Sequence, residues 1–132
     1  MKAARIALLL ALPIVLVASA CGGGSSGGGG STPAGSGGGG QVVSIPIADS
    51  GFAFSITTAT AKAGKVTLSA MNPQSTTHDI SIKDNGVDEK GNQVSSGGTS
   101  TVTATLTPGT YEYYCSVPGH EQAGMKGTLT VT

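Results

Sequence analysis

Apolar and polar residues alternate along most of the chain from Gln41 onward. A period of two puts every second side chain on one face of a strand, so this alternation predicts strands that each bury one face. The predicted inward faces are Val43, Ile45, Ile47; Phe52, Phe54, Ile56; Val66, Leu68, Ala70; His78, Ile80, Ile82; Val102, Ala104, Leu106; Tyr111, Tyr113, Cys115; and Met125, Gly127, Leu129, Val131. Pro46 suggests that the first strand lies at a sheet edge.

Turn signals divide these strands at short intervals. They include Ala63-Gly64, Asp84-Asn85-Gly86 and Pro108-Gly109, and no segment shows a helical period. About seven short strands in a domain of about ninety residues predict an all-β fold, an antiparallel β-sandwich. Such a sandwich supports many functions, so the fold alone does not decide this one.

The first 40 residues have a different character. Lys2 and Arg5 precede an apolar run from Ile6 to Val17, and small residues then lead to Cys21, so residues 1–20 are predicted to be a lipoprotein-type signal peptide. The usual cleavage box has Leu or Val three places before the Cys, whereas this chain has Ala18. We expect lipidation of Cys21 and anchoring at the outer face of the bacterial cytoplasmic membrane, in preference to simple release or an uncleaved leader.

Residues 21–40 then form a predicted linker, because those after Cys21 are only Gly, Ser, Thr, Ala and Pro. A flexible coil of this kind spans about 20 to 25 Å on average. The folded domain is therefore assigned to residues 41–132.

Charge and cysteine content narrow the function classes. Seven basic and seven acidic residues balance over the whole chain, and no basic patch suggests nucleic acid. If Cys21 is acylated, Cys115 has no partner for a disulfide. A free thiol in an exported domain is either a buried structural residue or a thiolate held by a metal.

Four possible metal ligands fall at one end of the predicted sandwich. His78 begins a strand, Cys115 ends another and Met125 begins the next, and parity turns all three inward. His120 lies in the loop between the last two strands. Two imidazoles, a thiolate and a thioether are the ligands of copper electron-transfer sites. They predict one copper ion, cycling between Cu(II) and Cu(I), bound by these four residues.

Each ligand also has a simpler interpretation. An inward Met is usually a core residue, a His after Pro-Gly is usually solvated, a strand-end His can be hydrogen-bonded, and Cys115 could be an inert thiol. Zinc could occupy the same donors, although it gains little from Met. Too few cysteines exclude iron-sulfur clusters and c-type haem. The agreement of four positions in order, spacing and parity favours copper.

Two segments resemble the copper loop of the cupredoxins, the plastocyanin and azurin family: Tyr114-Cys115-Ser116-Val117-Pro118-Gly119-His120 and Gly124-Met125-Lys126-Gly127. Asn72-Pro73 and His78 also fit, and the C-x4-H-x4-M spacing is similar to that of bacterial members with longer loops. The resemblance covers Gln41 to Thr132. It implies an eight-stranded Greek-key sandwich with copper under the loops at one end and electrons passing through His120.

One residue departs from the family pattern. Many members have Asn after the first His, where this chain has Asp79. An ionised Asp accepts hydrogen bonds from amides near Ser116 but cannot donate one, so we expect the contact between strand and loop to be altered.

These observations favour a membrane-tethered, monomeric carrier of single electrons between redox proteins, and not an enzyme. One alternative is a copper chaperone or scavenger, but such proteins usually bind with exposed Met and His clusters, which the chain lacks. A multicopper oxidase or reductase would need more than two His. A metal-free sandwich that acts as a binding module is the remaining alternative.

Overall fold

The computed structural model describes residues 40–132, which contain eight strands and no helix. The strands are β1 (Gln41–Ser44), β2 (Thr58–Ala61), β3 (Gly64–Met71), β4 (Ser81–Asp84), β5 (Val87–Glu89), β6 (Thr99–Leu106), β7 (Gly109–Tyr114) and β8 (Lys126–Val131). They form two sheets, with strand orders β1-β3-β6 and β2-β8-β7-β4-β5. The predicted signal peptide, Cys21 and the linker up to residue 39 lie outside the described residues. Within residues 40–132, no helix could cross a membrane.

The two sheets enclose one apolar core, which confirms the predicted all-β sandwich. In β3 the inward residues Val66, Leu68 and Ala70 are buried while their neighbours are not, as the alternation predicts. Tyr111 and Leu129 face the same core from the other sheet. Each large aliphatic side chain buried in this way contributes about 1.5 to 3 kcal/mol.

The sheets are mixed, whereas the alternation alone suggested antiparallel pairing throughout. β1 runs parallel to β3, and β2 runs parallel to β8, while the other pairs are antiparallel. The chain passes through β2 in the second sheet between β1 and β3, so β1 and β3 are joined by a crossover and not by a hairpin. As Pro46 suggested, β1 is an edge strand.

The predicted strand from Phe52 to Ile56 is wrong. Only Phe54 of its expected inward face is buried, and it forms an isolated bridge with Ile47; regular pairing begins at β2. The Ala48 N–H donates to the Ala53 carbonyl at 3.0 Å and closes a tight loop, and the Ala48 carbonyl accepts from Gln74 Nε2 at 2.8 Å. Gly51 has φ +75° in this loop, a conformation that ends the alternation of strand faces.

Antiparallel pairing of β7 and β8 fixes the position of the candidate ligands. Tyr114 is the last residue of β7 and pairs with Lys126, the first residue of β8. Cys115 and Met125, the next residues outward on each side, are therefore opposite each other at one end of the sandwich.

Candidate metal centre

Cys115 and Met125 are joined through their backbones. The Cys115 N–H donates to the Met125 carbonyl at 3.1 Å, which continues the β7–β8 ladder by one residue. Both side chains are 0% exposed. The pairing predicted from strand parity therefore places the thiol and the thioether together in the interior of one pole of the domain.

His120 is held by the loop between these two residues. Its N–H donates to the Val117 carbonyl at 3.1 Å, and its own carbonyl accepts from the Met125 N–H at 3.0 Å. Gly119 and Gly124 have φ +88° and +105°, which allow the two sharp turns of this loop. Only four residues separate His120 from Cys115, and four separate it from Met125. The loop therefore returns His120 to the same end of the sandwich.

His78 reaches the pole from a segment just before β4. It forms a two-bond bridge with Val94, and its side chain is 0% exposed. The preceding loop is held by buried Asn72, whose Nδ2 donates to the Thr76 and Val94 carbonyls at 2.8 Å. These bonds give the Asn72-Pro73 segment a structural role in orienting His78.

Three donor atoms converge closely enough to hold one ion. Nδ1 of His120 lies 3.1 Å from Nδ1 of His78, and Cys115 Sγ lies 3.5 Å and 3.9 Å from these two nitrogens respectively. Metal–imidazole and metal–thiolate bonds are about 2.0 and 2.3 Å long. Because any two such bonds together exceed each separation, a single metal ion can contact all three atoms.

The protonation of the site suits metal binding. Burial lowers the pKa of His78, the nearby His120 lowers it further, and Asp79 opposes both. His78 is therefore held neutral, which is the form that binds a metal. Burial also raises the pKa of the Cys115 thiol, although hydrogen bonds from the backbone of Asp79 and Val117 lower it. A metal that binds this thiol must displace its proton.

Asp79 and Ser116 form a contact between strand and loop, with Asp79 as the acceptor. The Ser116 N–H donates to Asp79 Oδ1 at 2.6 Å, and the Ser116 hydroxyl binds Oδ2. The backbone N–H of Asp79 donates to Cys115 Sγ at 3.4 Å. One residue thus ties the His78 segment to the loop that follows Cys115.

Sequence reasoning missed the contribution of Phe52. Its ring lies 4.4 Å from the His120 ring and 6.1 Å from the His78 ring, between centroids, although its side chain is 46% exposed. His78 Nε2 is buried and has no hydrogen-bond partner within residues 40–132, so packing has a larger part in fixing this ring. The alternation assigned Phe52 to a strand face, and only the loop closed at Ala48 brings it over the imidazoles.

The sequence is similar to those of known copper-binding proteins. A sequence model described as copper binding proteins, plastocyanin/azurin family, matches residues 41–132. Auracyanin-B of Chloroflexus aurantiacus is 58% identical over 40 residues, which are 30% of this chain and 17% of that protein's length.

Solved structures give the same result over most of the chain. A structure of auracyanin B is 29% identical, covers 77% of this chain and 91% of its own, and has a TM-score of 0.61. Auracyanin A, described as a blue copper protein from Chloroflexus aurantiacus, is 24% identical, covers 71% of this chain and 100% of its own, and has a TM-score of 0.62, which shows a shared fold.

Proposed function

We propose that this chain, which belongs to the plastocyanin/azurin family of copper-binding proteins, carries single electrons between redox proteins outside the cytoplasmic membrane. The family consists of cupredoxin electron carriers, and the predicted cofactor, one copper ion, is confirmed. The observation that carries the proposal is the convergence of His78 Nδ1, His120 Nδ1 and Cys115 Sγ beside Met125 at one pole.

In this proposal the four side chains have distinct roles. Cys115 would supply a thiolate ligand to a copper ion, His78 and His120 would supply two imidazole ligands, and Met125 would supply a weak thioether ligand. A bound copper ion would accept and release one electron there. Backbone hydrogen bonds already hold Cys115, His120 and Met125 in position, so the protein has little to rearrange when the electron moves.

We call the end of the sandwich with the four candidate ligands the copper pole. It supplies a route for electrons and a surface for partners. Within the triad of nitrogen and thiol ligands, His120 alone is partly exposed, while His78 and Cys115 are buried. Beside His120, Val117 is partly buried and Pro118 is exposed. We infer that redox partners dock on this small apolar surface and exchange electrons through the His120 ring.

The folded domain begins at the end of the sandwich opposite the candidate ligands. Gly40 packs against Lys65 near the start of β3, whereas Met71 and Asn72, at its other end, lead to the copper pole. Eight residues of strand extend about 25 Å. A lipid on Cys21, followed by the linker, would hold the domain near the outer membrane face.

The buried ligands favour an electron carrier over a copper chaperone. Cys115, His78 and Met125 are each 0% exposed. A delivery protein has to present its ligands to the acceptor site, and here only His120 is accessible without local opening.

Addition of Cu(II) to the copper-free protein tests the proposal. We expect an intense blue band from charge transfer between the Cys115 thiolate and copper, and its reversible loss on addition of a one-electron reductant. Cys115→Ser is the matched control and should remain colourless, because no thiolate is left to transfer charge to copper. A colourless parent protein would refute the copper assignment and favour a metal-free binding module.

A further inference from the structure

Asp79 is a carboxylate in the interior of the protein. Asp79 is 0% exposed and directly follows His78 in the chain. Acidic side chains are almost never fully buried unless they are paired, because removal of a charge from water is costly. The partners of Asp79 therefore indicate what the protein gains from this residue.

The partners are neutral hydrogen-bond donors. Oδ1 accepts from the Ser116 N–H at 2.6 Å and lies 3.4 Å from the Ser81 hydroxyl, while Oδ2 binds the Ser116 hydroxyl. Within residues 40–132, the four ion pairs join lysines to Asp88, Glu112 and Glu121, and none includes Asp79. The negative charge of Asp79 is thus stabilised by dipoles, and no cation in the described part of the chain pairs with it.

This charge lies close to the proposed copper ligands on both sides. Asp79 is bonded covalently to His78, and its carboxylate is hydrogen-bonded to the residue that follows Cys115. Its own N–H reaches Cys115 Sγ at 3.4 Å. Solvent ions screen such a buried charge much less than a surface charge.

We propose that Asp79 lowers the reduction potential of the copper site, because a fixed negative charge stabilises Cu(II) more than Cu(I). The inference rests on the proposed copper function. Oxidised and reduced copper differ by one unit of charge, so the effect follows from the Coulomb interaction with that one unit. Asp79 is then a positioning residue that also biases the oxidation state, and Ser116 serves mainly to hold its carboxylate.

Voltammetry of Asp79→Asn at one neutral pH tests the proposal. The amide has nearly the same shape and keeps one oxygen acceptor for the Ser116 N–H, but it carries no charge. We expect the ratio of Cu(II) to Cu(I) affinity to fall at least tenfold, which raises the potential by about 59 mV for one electron. The blue band should remain, since no ligand changes. If Asp79→Asn does not retain copper, Asp79→Ser removes the same charge and should shift the potential in the same direction.

Two control variants separate charge from other effects. Asp84→Asn removes the same charge from an exposed site five residues further along the chain, about 16 Å in extended strand, and should leave the potential nearly unchanged. Ser116→Ala removes the hydroxyl contact but keeps the Asp79 charge, so its shift should be much smaller than that of Asp79→Asn.

The outcomes distinguish this inference from the proposed function. A parent protein without a blue band refutes the copper function itself. A blue parent whose potential is unchanged or lowered in Asp79→Asn overturns only the role of Asp79. An equal upward shift in Ser116→Ala would also overturn it, because the contact and not the charge would then set the potential.

Discussion

Replacement of Gly127 by Ala should destabilise the protein through a single, identifiable clash. Gly127 pairs with Tyr113 across β7 and β8, and the Tyr113 ring covers it. A Cβ at this position would lie 2.6 Å from Tyr113 Cε2 and closer still to Cζ and the hydroxyl oxygen. The ring has no room to yield, since Tyr113 is 0% exposed, its ring packs edge-on against Phe54 with centroids 5.4 Å apart, and its hydroxyl donates to the Ile56 carbonyl at 2.6 Å.

The expected magnitude follows from these contacts. Overpacking a core typically costs about 1 to 3 kcal/mol. Displacement of the buried Tyr113 hydroxyl from its acceptor adds about 1 to 3 kcal/mol. Ala loses less backbone entropy on folding than Gly does, which offsets about 0.5 to 1 kcal/mol of this cost. We therefore expect Gly127→Ala to lower the free energy of unfolding by about 1 to 5.5 kcal/mol.

Urea unfolding of the copper-free protein measures this loss as a lower midpoint with an unchanged slope. The control is the same substitution in a Tyr113→Leu background, where the ring is absent. There Gly127→Ala should cost little or should stabilise the protein, so the two substitutions should be strongly non-additive. An equal cost in both backgrounds would refute the clash as the cause.

Four further predictions concern the copper pole and the anchor. Met125→Leu should keep copper and colour but raise the reduction potential, because loss of a weak thioether ligand would disfavour Cu(II). If Met125 were only a core residue, the substitution would cost about 1 kcal/mol of stability and voltammetry would show an unchanged potential. Phe52→Leu should weaken copper binding about 2- to 10-fold in a chelator competition, as expected for loss of aromatic packing on His120, and an affinity equal to the parent's would count against that role. Val117→Asp should slow electron exchange with the natural partner while the visible spectrum stays the same; equal rates would exclude this face as the docking surface. Cys21→Ser should release a folded, copper-competent protein from the membrane fraction, and its retention there would favour an uncleaved leader.

The candidate ligands could be predicted because their evidence is local. Strand parity turned Cys115 and Met125 inward, and the antiparallel pairing of β7 and β8 then brought them together. The loop between them is short, so His120 had few other places to lie. The pair Asp79 and Ser116 was marked by the resemblance to the family pattern and not by strand parity.

The sequence by itself therefore determined the all-β class, the inward faces of most strands and the set of candidate copper ligands. Tertiary structure alone decided the parallel pairs β1–β3 and β2–β8, because alternation reports which face is buried but not the direction or neighbour of a strand. It also decided that Phe52 lies on His120 and that Asp79 has no cationic partner within residues 40–132. Such contacts join residues far apart in the chain, and their distances follow from packing that no local pattern encodes.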